Sequence, residues 1–167
     1  MCHLINLIHH IPRALRYIPE VKKLYSRYIK FIQDDFSDTK NAINYICSKT
    51  PFFWIVTDYK QNFMGFVYLD NLVGNKEKIY SAELTTCFIP KAWGIFTRYS
   101  AKIFLKKCFD ELGLEKICAN IYPDNFRVKK LLSDCGFKYE STLKNTTLRL
   151  GKMQDIDIYA LYKSYYT

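Results

Sequence analysis

The spacing of apolar residues changes at Lys49-Thr50-Pro51, and that change constrains the fold more than any other feature of the chain. Upstream, Val21, Leu24, Tyr25, Tyr28, Ile29 and Ile32 recur at i, i+3, i+4, i+7, i+8 and i+11, the stripe of one helix face. Ser37 or Asp38 is placed to cap a second short helix carrying Ile43, Ile46 and Cys47. Residues 1–50 therefore read as helical, with no first strand ahead of the helices. Downstream, "FFWIVTD" and "FMGFVYLD" flank Tyr59-Lys60-Gln61-Asn62 and predict a hairpin, and "IYSAELTTCFI" predicts a third strand.

That third strand alternates. Tyr80, Ala82, Leu84, Thr86 and Phe88 point one way, which suits a core, while Ser81, Glu83, Thr85 and Cys87 carry the polar atoms to the other face. Pro90 closes it. A helix follows from about Thr97 to Leu112, with Ala101, Phe104, Leu105, Cys108, Phe109 and Leu112 as its apolar stripe and Gly113 as its stop. "KICANIY" is a fourth strand. A short helix opened by Asn125 buries Val128, Leu131, Leu132 and Cys135 and ends at Gly136. The tail supplies two more strands, near "STLKNTTLRL" and "DIDIYALYK", with Gly151 in the turn. Helices, a three-strand antiparallel meander, helix, strand, helix and hairpin make an α+β fold on a mixed sheet. No repeat or Gly/Ser linker divides the chain, so residues 1–167 read as one domain.

Composition narrows the function. At 49% hydrophobic and 25% charged, the chain is globular, and no apolar run is long enough to span a bilayer. The apolar segment Leu4 to Ile11 has neither a basic leader nor a small-residue cleavage site, so no signal peptide is expected. Six cysteines, none at metal or redox spacing, read as reduced core thiols in a cytoplasmic protein. Cys2, His3, His9 and His10 lack a second cysteine pair, so no metal site is expected there. The net charge of +9 favours acidic or phosphate-bearing partners. It comes without a run of five basic residues, so a solvated surface is the default and nucleic acid is not an expected partner.

Four segments carry a resemblance: "SAELTTCFIP", "KAWGIFTRYSAKIFLKKCFDELGL", "KICANIYPDNFRVKKLLSDCGF" and "GKMQDIDIYALYK". Together they resemble the GNAT superfamily of acetyl-CoA-dependent N-acetyltransferases over roughly residues 52–163. The last segment, with Asp155 four residues before Tyr159, is similar to the branch that acetylates protein N-termini and small amines. The loop also looks like acetyltransferase-like proteins of phage and prophage regions, for which host cytoplasm would be the location. The resemblance implies a six- to seven-stranded, mostly antiparallel sheet flanked by helices, with a helical N-terminal part over residues 1–50 and the core over 52–163.

It also implies where coenzyme A would lie. Pantetheine would sit in a V between the two central strands, the pyrophosphate on the loop Lys91–Thr97, and the turn Asn125 beside the pantetheine arm. The cofactor-contacting set is Phe88, Ile89, Trp93, Gly94, Ile95, Phe96, Thr97, Arg98 and Asn125. Read from residues alone, Asn125 or Asp124 caps the helix, and both roles are compatible. Glu83 is the candidate base that takes the amine's proton, with Tyr122, and beside it Tyr159, as candidate proton donors to the thiolate. Cys87 has no histidine in a matching motif to make it a nucleophile. Family loops carry Gly-x-Gly or Gly-x-Ala. Here Gly94 matches the first glycine and Phe96 replaces the second, restricting close approach of a phosphate, with Arg98 and Lys102 as compensating charge. The resulting expectation is acetyl transfer to a primary amine on a small molecule or protein. The alternative is a GNAT-fold binding or structural module without catalysis. Edge strands in this fold often pair in dimers, so the resemblance is compatible with a homodimer, and the sequence itself leaves the oligomeric state open.

Overall fold

The computed structural model describes residues 1–35, 48–49 and 51–166. The short helix expected on Ile43, Ile46 and Cys47 lies outside the described residues. The elements are β1 (Cys2–Asn6), α1 (Ile11–Leu15), α2 (Ile18–Ile32), β2 (Phe53–Asp58), β3 (Phe63–Gly74), β4 (Ile79–Phe88), α3 (Ile95–Asp110), β5 (Lys116–Ile121), α4 (Phe126–Asp134), β6 (Lys138–Arg149) and β7 (Lys152–Tyr162). Short 3₁₀ turns occupy Pro90–Ala92 and Lys163–Tyr165. The seven strands form one sheet in the order β1-β2-β3-β4-β5-β7-β6. Neighbours are antiparallel except β4 and β5, whose parallel pairing is reached through α3. The α+β mixed sheet is the one the element order predicts.

The N-terminus differs from expectation. Cys2–Asn6 is a strand that pairs antiparallel with β2, Ile5 opposite Ile55. Five residues with His3 and Asn6 among them give too short an alternation to read locally, and the open edge of β2 supplies the partner. Asn6 ends the strand: its Oδ1 accepts from the Ile8 and His9 amides at 3.0 and 3.2 Å, and its Nδ2 donates to the Pro51 carbonyl at 2.6 Å.

Helices cover both faces of the sheet, so there are two cores. Trp54, Val56, Val67 and Leu69 face α3, where Phe104, Leu105, Cys108 and Phe109 fill the layer. Phe53, Ile55, Phe66 and Tyr68 face the other way, against Ala14 of α1 and Val21, Leu24 and Tyr25 of α2. β2 is buried on both faces, which is why its sequence runs apolar without alternation. The same layering corrects the reading of β4. Cys87, expected on a polar face, is buried in the second core. Tyr80, expected inside, is exposed, with the Lys78 ammonium 5.3 Å from its ring centroid. No helix among the described residues is long and apolar enough to cross a membrane.

Candidate active site

β4 and β5 are paired only through Ser81–Lys116, Ala82–Ile117 and Glu83–Cys118. Past Glu83 the ladder stops, while β4 continues to Phe88 and β5 to Ile121. The strands separate there, and a cleft of about 440 Å³ opens between them. Its walls are Leu84, Thr86 and Phe88 of β4, Ala119 and Ile121 of β5, Phe104 and Leu105 of α3, Val128 and Leu132 of α4, and Tyr28, Phe31 and Ile32 of α2. β4 still bonds β3 along this stretch. Its other edge is released, offering backbone N–H and C=O groups to an extended amide-bearing chain. The stripe of α4 is only half-buried apart from Leu132, because the space in front of it is this cleft.

Glu83 stands where the ladder ends. Its Oε2 accepts from Asn71 Nδ2 at 2.7 Å and from Asn120 Nδ2 at 2.9 Å. Asn71 reaches it because β3 bulges between Asp70 and Val73, where Asn71 takes φ +46°. Burial raises the Glu83 pKa above the ordinary glutamate value; the Asn71 amide opposes this, the Asp70 charge adds to it, and Lys49 opposes it. Lys49 is itself ion-paired with Asp70 at 3.1 Å. Glu83 is thus a carboxylate held in one orientation, facing the cleft, with a raised proton affinity. Cys87 also lines the cleft, but burial pushes its thiol up to about 12, so it stays a thiol at neutral pH.

The other end of the cleft meets the start of α3. Gly94 is the N-cap at φ +99° and ψ −124°, a conformation that favours glycine. The Thr97 hydroxyl donates to the Ala92 carbonyl at 2.6 Å, fastening the loop to the helix. The first α-helical bond runs from the Arg98 amide to the Gly94 carbonyl at 3.1 Å, which leaves the amides of Ile95, Phe96 and Thr97 at the helix's positive end. Ile95 is 80% exposed, whereas Phe96 packs against the larger core. The phenylalanine expected to obstruct those amides is anchored inward. Arg98 pairs with Asp134 of α4 at 3.7 Å.

Trp93 ties three elements together. Its indole N–H donates to the Phe88 carbonyl at 3.2 Å, its ring meets Tyr28 of α2 edge-on at 6.3 Å, and the Arg127 guanidinium of α4 lies 3.9 Å from its centroid. Asn125 lines the cleft and caps α4, its Oδ1 accepting from the Val128 amide at 3.4 Å. Ile89 is partly buried between the two cores and donates its amide to the Met64 carbonyl at 3.0 Å.

The structure does not bring Tyr122 to the cleft. It is buried, its hydroxyl donates to the Gln33 carbonyl at 3.2 Å, and the Arg149 guanidinium covers its ring at 4.1 Å. Tyr159 packs edge-on against Tyr139 at 5.8 Å, and Asp155 accepts from Lys144 and the Asn145 amide at 2.8 and 3.0 Å. Neither is among the residues lining the cleft. Sequence reasoning missed Asn71, Asn120, Arg127 and the α2 residues of the cleft. An amide in the middle of the apolar strand "KICANIY" was a readable signal for Asn120. Asn71 gave none, since its reach depends on a bulge.

The sequence matches the model of the acetyltransferase (GNAT) domain over residues 8–138. No curated protein matches it. Among solved structures, the chain is similar to spermidine N-acetyltransferase from Vibrio cholerae in complex with CoA and spermine, at TM-score 0.77 and 22% identity over 99% of this chain and 97% of that one. RimJ from Mycobacterium smegmatis in complex with CoA-disulfide superposes at TM-score 0.72 and 15% identity, covering 89% and 78%. A GNAT-family acetyltransferase from Bacillus anthracis does so at TM-score 0.72 and 20% identity, covering 89% and 90%. With the family model spanning most of the chain on a sheet that separates at Glu83, the protein belongs to the acetyltransferase (GNAT) domain family.

Proposed function

We propose that the protein is an acetyl-CoA-dependent N-acetyltransferase acting on a primary amine. The observation that carries this reading is the position of Glu83, a half-buried and oriented carboxylate at the apex of the β4–β5 separation. The groups present fit coenzyme A. The released edge of β4 and the apolar cleft suit pantetheine, and the amides at the start of α3 suit the pyrophosphate. Arg98 and Arg127 supply positive charge on the same side of the fold. Bound there, acetyl-CoA supplies a thioester activated for acyl transfer.

The residues of the chain would do the rest. A neutral amine nitrogen attacks the thioester carbonyl carbon, a C–N bond forms, the C–S bond breaks, and the sulfur leaves with the electron pair. Glu83 takes the proton shed by the nitrogen, and its raised pKa makes it a stronger base than an ordinary glutamate. A thiol pKa of roughly 8.5 lets the sulfur leave with little need of an acid, so the distance of Tyr122 from the cleft does not block the reaction. The relatives that acetylate spermidine make polyamines the first acceptors to screen, with peptide N-termini second. The test is calorimetric titration with acetyl-CoA followed by turnover against that panel, on wild-type protein and Glu83→Gln. Saturable binding with turnover lost in the variant is expected. Turnover that survives in Glu83→Gln would remove Glu83 as the base, and absence of acetyl-CoA binding would remove the activity.

A further inference from the structure

Three strands away from the active-site cleft, the sheet holds a second cavity that the acetyl-transfer reading does not use. On the face covered by α1, β2 presents Phe53, Ile55 and Thr57 in succession. Phe53 and Ile55 are closed off by Ile5 and Ala14 of the second core. At Thr57, opposite His3, this apolar packing stops and a cavity of about 170 Å³ begins. Thr57 is 0% exposed, and its Oγ1 meets no hydrogen-bond partner among the described residues. A fully buried hydroxyl without a partner is costly, so its place on the cavity wall points to an occupant that accepts from it.

The rest of the wall says what kind. His3, His10, Arg13 and Gln61 line the same cavity, and no carboxylate does among the described residues. Gln61 spends its Oε1 accepting from Arg16 Nη2 at 2.5 Å, which leaves its Nε2 amide as the free donor. The position of Gln61 is fixed from both sides: it sits at φ +62° in the β2–β3 turn, and its carbonyl accepts the Tyr17 hydroxyl at 2.7 Å. A hydroxyl, an amide, two imidazoles and a guanidinium form a set of donors with one permanent positive charge. No group of three or more metal-ligating side chains exists among the described residues. We propose that this cavity binds a small oxyanion, a phosphate or a carboxylate, held by Arg13, Gln61 and Thr57.

The experiment titrates inorganic phosphate and, separately, acetate into the full-length protein, following His3 and His10 ring resonances and the heat of binding. The two anions distinguish a phosphate source from a carboxylate one. Thr57→Val keeps the shape of the buried side chain and removes only the hydroxyl. Arg13→Ala removes an exposed side chain whose loss leaves the core intact. Arg98→Ala tests the other place where an anion can settle, the start of α3. Saturable binding of either anion is expected, weakened at least about tenfold in Arg13→Ala and several-fold in Thr57→Val, with folding unchanged by melting temperature, and retained in Arg98→Ala. No saturable binding by the wild-type protein means that the cavity holds water and overturns the proposal. Binding that survives Arg13→Ala and disappears in Arg98→Ala overturns it as well.

Discussion

Asn120 of β5 donates to Glu83 of β4 at 2.9 Å, across the point where the two strands part. The bond replaces the backbone ladder by a side-chain contact and fixes the carboxylate at the head of the cleft. Asn71 donates to the same oxygen from the opposite side, at 2.7 Å. On the proposed reading, the second carboxylate oxygen would meet a proton donor from the substrate.

Glu83→Gln removes the charge while keeping the shape. Loss of a general base lowers kcat by about 10²–10⁴-fold. Acetyl-CoA affinity is expected to stay within the same order of magnitude, because the role proposed for the carboxylate lies with the acceptor. Steady-state kinetics beside calorimetry separate the two quantities. Equal loss of affinity and of turnover would reassign Glu83 to cofactor binding.

Asn71→Leu takes away a donor that favours the charged form of Glu83. With burial then less opposed, the glutamate pKa rises further, and the acid limb of kcat/KM against pH moves to higher pH. The linkage to stability has the same sign. A carboxylate whose folded pKa is raised binds its proton more tightly when folded, so its contribution is present at acid pH and is lost as pH rises through the folded value. The variant should therefore lose more melting temperature between pH 5 and pH 8 than the wild type does. An unmoved pH profile would show that Asn71 does not tune the base.

Much of this frame was legible in the sequence. The stripes of α2 and α3 predict helices that the sheet buries as expected, and the hairpin at Tyr59–Asn62 and the glycine stops fall where the turns are. Gly136, placed as a left-handed stop, has φ +89°. The rest was hidden for physical reasons. β1 exists because β2 offers it an edge, and no local pattern reports that. The two faces of β4 could not be sorted, since helices cover both. Of the site, Glu83 and Asn125 were readable as polar groups in an apolar context. The arrangement Trp93–Arg127 was not, because it joins residues 34 apart in the chain at a ring distance of 3.9 Å.

Gly94→Ala tests the loop. At φ +99° and ψ −124° an alanine is strained whatever the space around it, by about 1–3 kcal/mol. The loop can relieve that strain only by moving the amides of Ile95 and Phe96 away from their common direction. A lowered melting temperature together with weaker acetyl-CoA binding is expected. Unchanged affinity with lowered stability would separate the loop from the pyrophosphate.

Arg127→Ala opens the cleft wall. A cation over a partly exposed indole contributes about 0.5–2 kcal/mol, and Arg127 also brings positive charge to the side on which the phosphates would lie. The variant should bind acetyl-CoA about 5- to 30-fold more weakly, while Arg127→Lys, which keeps the charge, recovers part of the loss at low salt. Recovery by lysine that persists at high salt would point to packing on Trp93 in place of charge.

Asp157→Asn probes what holds α4 and the β6–β7 hairpin together. Asp157 is buried and accepts from Lys129 of α4 and from Thr142 of β6, each at 2.6 Å. Burial alone would raise its pKa, yet these partners hold it below the ordinary aspartate value of 3.8. A depressed folded pKa means stability that is present above the ordinary value and lost as pH falls through the folded one. At pH 7 the variant should be less stable by about 1.5–3 kcal/mol, the range for a hydrogen-bonded buried charge. The gap should narrow as pH falls below 3.8 and close where wild-type Asp157 is itself protonated. Urea denaturation at pH 7, 5 and 3 reads this directly. A gap that stays constant across the three would mean that the loss comes from packing, with the ion pair between β7 and α4 contributing nothing.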